Sequence, residues 1–183
     1  HITTGEGGMV LTDNAELAAR ARKLCNLAFK PEGPRFVHHE LGWNYRMTNM
    51  QAALGVAQLE KIEKHLTKKR EIGKAYQEGL KNLKSFQLPL HKTDYAKNIY
   101  WVFTLVADTE KLREDTVTKM TKAGIGTRPF FWPMHQQPVF RDMGLFIGEK
   151  YPVAEKLARQ GFYIPSGLGL SKEEIQEVIK ILT

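Results

Sequence analysis

The sequence predicts a mixed α/β chain in two parts joined by a long helix. Short β-prone runs alternate with amphipathic helical runs along the whole length. Two capping boxes, Thr48 with Gln51 and Ser171 with Glu174, mark helix starts. The helix that Thr48 opens changes character along its length, from small residues (Ala52, Ala53, Gly55, Ala57) to a charged amphipathic half, as a linker between domains does. A bend near Lys64-His65-Leu66-Thr67 is the expected boundary, giving domains over residues 1–64 and 65–183.

Residues 2–4 and 9–12 read as short strands separated by the turn Gly5-Glu6-Gly7-Gly8. That turn is a weak phosphate-loop signal, because no Lys-Ser/Thr pair follows it and no helix starts there. Asp13 is placed to cap a helix running to about Asn26, with Leu17, Ala18, Ala21, Leu24 and Cys25 at helical spacing. Residues 28–41 carry Pro31, Gly33 and Pro34 without periodicity and read as a loop ending in His38-His39-Glu40. A histidine pair without a third ligand at suitable spacing is a poor metal site.

The helix from about Asn49 presents its positive end to a turn holding Asn44 and Arg46, and such an end attracts anions, phosphate above all. The plain alternative is an ordinary capped helix with a solvated arginine. Further on, residues 87–90 and 99–107 read as strands, then comes a helix from about Leu112 to Lys122 stopped by Gly124. The stretch Gly126-Thr127-Arg128-Pro129-Phe130-Phe131-Trp132-Pro133-Met134-His135-Gln136-Gln137-Pro138 is too rich in proline for an α-helix and suits a rigid binding wall, or else a packing segment. A helix over residues 151–158, a strand at Phe162-Tyr163-Ile164, a turn at Pro165-Ser166-Gly167-Leu168-Gly169 and the Ser171 helix close a small α+β unit.

Composition narrows the function classes. The chain of 183 residues is 42% hydrophobic and 26% charged, an ordinary globular balance. Its longest uncharged apolar runs fall short of the roughly 20 residues a membrane span needs, and no signal peptide is visible, so a cytoplasmic, membrane-free protein is expected. The single cysteine, Cys25, excludes an internal disulfide and reads as a small hydrophobe. The net charge of +7 does not point to nucleic acid, because the densest basic group (Lys61, Lys64, Lys68, Lys69, Arg70, Lys74) shares its helix with four glutamates and reads as a solvated face. The imbalance still favours an anionic small molecule.

The segment Gly42-Trp43-Asn44-Tyr45-Arg46-Met47-Thr48-Asn49-Met50-Gln51-Ala52-Ala53 resembles a long signature of the DegT/DnrJ/EryC1/StrS sugar aminotransferases, and Ile2-Thr3-Thr4-Gly5-Glu6-Gly7-Gly8 resembles the stretch after that family's Schiff-base lysine. His38 fits a recurrent position as well. The resemblance implies a type I aminotransferase fold dependent on pyridoxal 5'-phosphate, with residues 1–64 ending the large cofactor domain and 65–183 forming the small C-terminal one. It also implies a homodimer with shared active sites, in which Asn44 reaches the cofactor phosphate held by the neighbouring subunit and the Gly-rich turn serves close packing. The chain opens on His1 without a Met, and the resemblance puts the catalytic lysine immediately before it, so no catalytic residue is expected within residues 1–183. A histidine in that place would imply a sugar 3-dehydratase, and any other residue a non-catalytic binding module.

Residues 127–138 and 165–168 are most similar to the family's branch that moves an amino group from glutamate to C4 of GDP-4-keto-6-deoxymannose. Arg128, Phe130, Trp132 and His135 are the expected substrate-side residues, since an arginine with aromatic neighbours suits a diphosphate carrying a flat base. Amination at C3, or of a UDP- or dTDP-linked sugar, is the nearest rival.

Overall fold

The computed structural model describes residues 1–30 and 32–183, and Pro31, within the loop expected over 28–41, lies outside the described residues. The chain divides into two compact units, His1–Ile62 and Glu63–Thr183.

In the first unit, α1 (Ala15–Cys25) starts one residue later than expected. Asn14, not Asp13, is the cap: its Oδ1 accepts from the backbone N–H groups of Glu16 and Leu17 at 2.9 and 3.1 Å. The Thr12 hydroxyl, which accepts from Asn14 N–H at 3.1 Å, holds the chain in this turn and hands the capping role to the asparagine. Beyond α1 the backbone becomes left-handed at Leu27 (φ 59°) and Ala28 (φ 54°). Residues 43–45 then run back along the helix end, with Trp43 N–H donating to Leu24 C=O at 2.8 Å and Tyr45 N–H to Cys25 C=O at 2.9 Å. Gly42 makes this strap possible, because a Cβ there would lie 2.3 Å from the Ala28 nitrogen.

Helix α2 (Asn49–Leu59) begins where the sequence places it, with both halves of the Thr48/Gln51 capping box formed. The strands expected over residues 2–4 and 9–12 do not form. Thr3 finds its partners in a side chain instead: its N–H donates to Gln58 Oε1 at 3.0 Å and its C=O accepts from Gln58 Nε2. Gln51 Nε2 likewise donates to Glu6 C=O at 3.0 Å. Two glutamines on α2 thus supply the hydrogen bonds a neighbouring strand would have given. The long helix is also interrupted earlier than the bend expected at residues 64–67: Lys61 N–H turns to Gln58 C=O at 3.1 Å, a 3₁₀-type bond, and a separate α3 (Ile62–Leu80) follows.

The second unit packs helices against a four-stranded antiparallel sheet of order β1-β2-β4-β3, made of β1 (Phe86–Gln87), β2 (Phe103–Ala107), β3 (Arg128–Pro129) and β4 (Gly161–Ile164). Between these strands lie α4 (Glu110–Lys122), a 3₁₀ turn (Met134–Gln136), α5 (Pro138–Asp142) and α6 (Pro152–Gln160), and α7 (Lys172–Leu182) closes the chain. Ile72, Tyr76 and Leu80 of α3, Phe103 and Leu105 of β2, Met120, Phe162 and the Ile175, Val178, Ile179 and Leu182 face of α7 form one continuous core. The second capping box, Ser171 with Glu174, is formed as expected.

Of the three strands read from the sequence in this unit, the one at 162–164 forms as β4, and the other two are shorter in the structure. The one expected over 99–107 starts only at Phe103, because Tyr100 adopts φ 49°, outside the strand region, with its N–H held by Asn98 Oδ1 at 2.7 Å. The Tyr100 ring lies against Gly73 of α3, where a Cβ would meet ring atoms at 2.3 Å. The one expected over 87–90 is only the two-residue β1, because Leu90 C=O accepts from Asn98 Nδ2 at 2.8 Å and Pro89 C=O from Gln77 Nε2, so the backbone pairs with side chains there.

Candidate functional site

In the first unit the strap of residues 43–45 carries Asn44 beside Asn26, and the two form an isolated antiparallel bridge. Arg46 joins them through side chains, with Nε donating to Asn44 Oδ1 and Nη1 to Asn26 Oδ1, both at 3.0 Å. A guanidinium has no acceptor, so it selects the amide oxygen of each asparagine, and the Asn44 NH₂ group is left as a donor. Asn44 and Arg46 are both exposed, just ahead of the Thr48 cap. A fixed amide donor, a guanidinium with N–H groups to spare and a helix start make a donor set that fits a phosphate. Trp43 and Tyr45 stack on each other beside it (centroids 6.0 Å apart, planes 15° apart) and help line a cavity of about 650 Å³ with Gly7, Gly8 and Cys25. Asn26 had no sequence signal beyond its place at the end of a helix.

Elsewhere in this unit, His38 Nδ1 lies 2.8 Å from Leu27 C=O and its ring packs on Phe29, and Glu40 forms ion pairs with Arg20 and Lys23. Those two cations hold the Glu40 carboxyl below the usual carboxylate range, Lys23 most strongly.

In the second unit the four expected substrate residues are dispersed. Arg128, on the edge strand β3, is exposed and lines a cavity of about 450 Å³ with Thr127, Tyr163, Pro165 and Ser166. Phe130 and Trp132 line another, of about 430 Å³, with Phe131, Met134 and Leu157. Phe130 is half-buried, its N–H on Gly161 C=O at 3.2 Å and its ring edge-on to Tyr163. His135 lines neither cavity: it is only 5% exposed, and its Nε2 lies 3.0 Å from Glu155 Oε1. Tyr151 completes this cluster, donating its N–H to the same carboxylate oxygen at 3.0 Å while its ring packs edge-on to the imidazole. The His135 bond, then the Tyr151 N–H, keep the Glu155 carboxyl below its usual range. His135 thereby fastens the 3₁₀ turn to α6.

The outward aromatic surface belongs to Phe131 and Trp101, neither of them among the expected substrate residues. Phe131 and Trp101 are 65% and 59% exposed and lie with their planes 16° apart, centroids 6.5 Å apart. Lys69, which the sequence assigns to a solvated face and whose Nζ donates to Trp101 C=O at 2.8 Å, is buried at 5% exposure. It stands on the apolar stripe of α3 with Ile72, Tyr76 and Leu80, a spacing that was readable in the sequence.

The fold is that of solved aminotransferases. It superposes on the aminotransferase TlmJ from Streptoalloteichus hindustanus with a TM-score of 0.87 at 24% identity, covering 99% of this chain and 48% of that one. DesV from S. venezuelae, solved with a ketimine intermediate, matches with a TM-score of 0.80 at 26% identity over 94% of this chain and 44% of that one. Residues 1–183 match the DegT/DnrJ/EryC1/StrS aminotransferase family, and the chain belongs to that family. Among curated relatives, a GDP-perosamine synthase of Escherichia coli O157:H7 is 35% identical over 95% of this chain and 46% of its own length. One from Caulobacter vibrioides is 33% identical over 99% of this chain and 48% of its own. The chain therefore spans about half the length of the curated relatives it matches. Among the described residues no helix is long and apolar enough to cross a membrane.

Proposed function

We propose that this chain is part of a pyridoxal phosphate-dependent nucleotide-sugar aminotransferase that moves an amino group from glutamate to C4 of GDP-4-keto-6-deoxymannose, giving GDP-perosamine. The observation that carries the cofactor half of this reading is the Asn26–Arg46–Asn44 chain of hydrogen bonds, which leaves the Asn44 amide as a fixed outward donor. The similarity to GDP-perosamine synthases supports the sugar. In this reading the first unit ends the large cofactor domain, the second is the small C-terminal domain, and the enzyme is a cytoplasmic homodimer.

Pyridoxal phosphate, when bound, supplies the electron sink for amino transfer. The residues of this chain bind and orient. Asn44 donates to the cofactor phosphate of the partner subunit, and Arg46 holds the amide in that orientation while adding positive charge. Arg128 pairs with the diphosphate of the substrate. Phe130 and Trp132 shape the neighbouring cavity, and His135 keeps their segment in place through Glu155.

The test uses the full-length protein. Bound cofactor should give a visible absorbance band that glutamate shifts, and incubation with GDP-4-keto-6-deoxymannose should yield the 4-amino sugar. A 3-deoxy product would mean dehydration, a 3-amino product the other regiochemistry, and no cofactor uptake at saturating pyridoxal phosphate would end the proposal. Asn44→Ala should weaken cofactor retention roughly tenfold, the loss of one charge-assisted bond, with pyridoxal lacking the phosphate bound equally by parent and variant. Equal retention of pyridoxal phosphate would refute the role of Asn44.

A further inference from the structure

Lys69 is a buried cation that the proposed reaction does not use. Its Nζ donates to Trp101 C=O at 2.8 Å and to Ser166 C=O at 2.6 Å, joining positions 32 and 97 residues away in the chain. Two turns along the same helix face, the Tyr76 hydroxyl donates to Pro165 C=O at 2.7 Å. Helix α3 thus anchors the 165–166 backbone twice and the Trp101 backbone once. Among the described residues Lys69 has no carboxylate partner, and burial pushes its ammonium below its usual value. An apolar residue would fill this place in a core without that desolvation cost. What the ammonium adds is a rigid tie between two carbonyls.

Both tied segments border exposed, ligand-sized features of the second unit. Trp101 makes half of the exposed aromatic pair with Phe131, and Ser166 lines the cavity that Arg128 enters. We propose that Lys69 is a positioning residue for the nucleotide: by tying Trp101 to Ser166 it fixes an aromatic platform for the base against the Arg128 cavity for the diphosphate. The flat exposed faces of Trp101 and Phe131 suit a purine, and the guanidinium suits the phosphates. The assignment rests on the nucleotide-sugar reading for the identity of the ligand. It adds Trp101, Phe131 and Lys69 to the residues that govern affinity.

The experiment compares full-length holoenzyme with Lys69→Met, which keeps the length of the side chain and removes its donors, and Lys69→Arg, which restores them. The probe is GDP, titrated by calorimetry, with UDP and dTDP alongside. Lys69→Met should weaken GDP binding and raise the KM for the keto sugar nucleotide by roughly tenfold, since two carbonyls lose their donor and the two walls loosen. Its kcat should stay near the parent value, Lys69→Arg should recover most of the affinity, and the absorbance change with glutamate alone should match the parent. Trp101→Leu, which keeps the carbonyl that Lys69 holds, should also weaken GDP binding and tests the platform should Lys69→Met fail to fold. Parent-like GDP affinity in either Lys69→Met or Trp101→Leu overturns this proposal and leaves the aminotransferase reading intact. A parent enzyme that binds none of the three nucleotides overturns both.

Discussion

Replacing Gly73 by alanine sets two effects of known sign against each other. In a helix interior alanine is favoured over glycine by about 0.8–1 kcal/mol. Against that, the new Cβ would lie 2.3, 2.5 and 2.5 Å from three carbons of the Tyr100 ring, far inside van der Waals contact. The ring has little freedom to retreat, being 1% exposed, stacked on Phe103 with planes 15° apart and bonded through its hydroxyl to His91 at 3.1 Å. Overpacking of this kind costs about 1–3 kcal/mol, and three simultaneous overlaps with an immobile ring place it at the upper end. The expected net loss is about 1–2 kcal/mol after the helix gain is subtracted. Urea denaturation of the full-length protein, followed by tryptophan emission, should show a lower midpoint for Gly73→Ala with an unchanged slope. The double variant Gly73→Ala/Tyr100→Leu should lose less than the sum of the single losses, because the smaller side chain makes room for the methyl group. A midpoint equal to or above the parent value would refute the reasoning and mean that Tyr100 is free to move.

Two further outcomes follow from local geometry. In Gly42→Ala the overlap is with backbone, 2.3 Å from Ala28 N and 2.6 Å from Leu27 C, so the strap of residues 43–45 must lift from the end of α1. Thermal denaturation and bound cofactor should both fall, by about 2 kcal/mol in stability, and a variant with normal cofactor content would break the link between the strap and Asn44. The Glu155 carboxyl has a folded value below its usual 4.5, so its contribution is complete above that value and is lost as pH falls through the lower folded one. Glu155→Gln should therefore flatten the acid limb of stability relative to the parent, measured as urea midpoint against pH, while His135, Tyr151 and Arg159 remain around it. Parallel acid limbs would remove Glu155 as their source.

The features legible in the sequence are those set by neighbours in the chain. Thr48 with Gln51 and Ser171 with Glu174 satisfy each other's backbone groups within one turn, so their helix starts depend on nothing distant. Asn44 was marked by the motif around it, and the strap that presents it follows from Gly42, its nearest neighbour but one. Strands were read less well, because a strand is decided by its partner. Residues 2–4 have strand composition, yet Gln58, 55 positions from Thr3, takes up their hydrogen bonds. Lys69 was misjudged for the same reason: a lysine among charged neighbours reads as solvated until Trp101 and Ser166 arrive with carbonyls over it. Tertiary structure likewise divided the aromatic wall, turning His135, in the 3₁₀ turn, inward to Glu155 and Phe131 outward to Trp101, since which side chains of such a segment are buried is decided by the elements that pack on it.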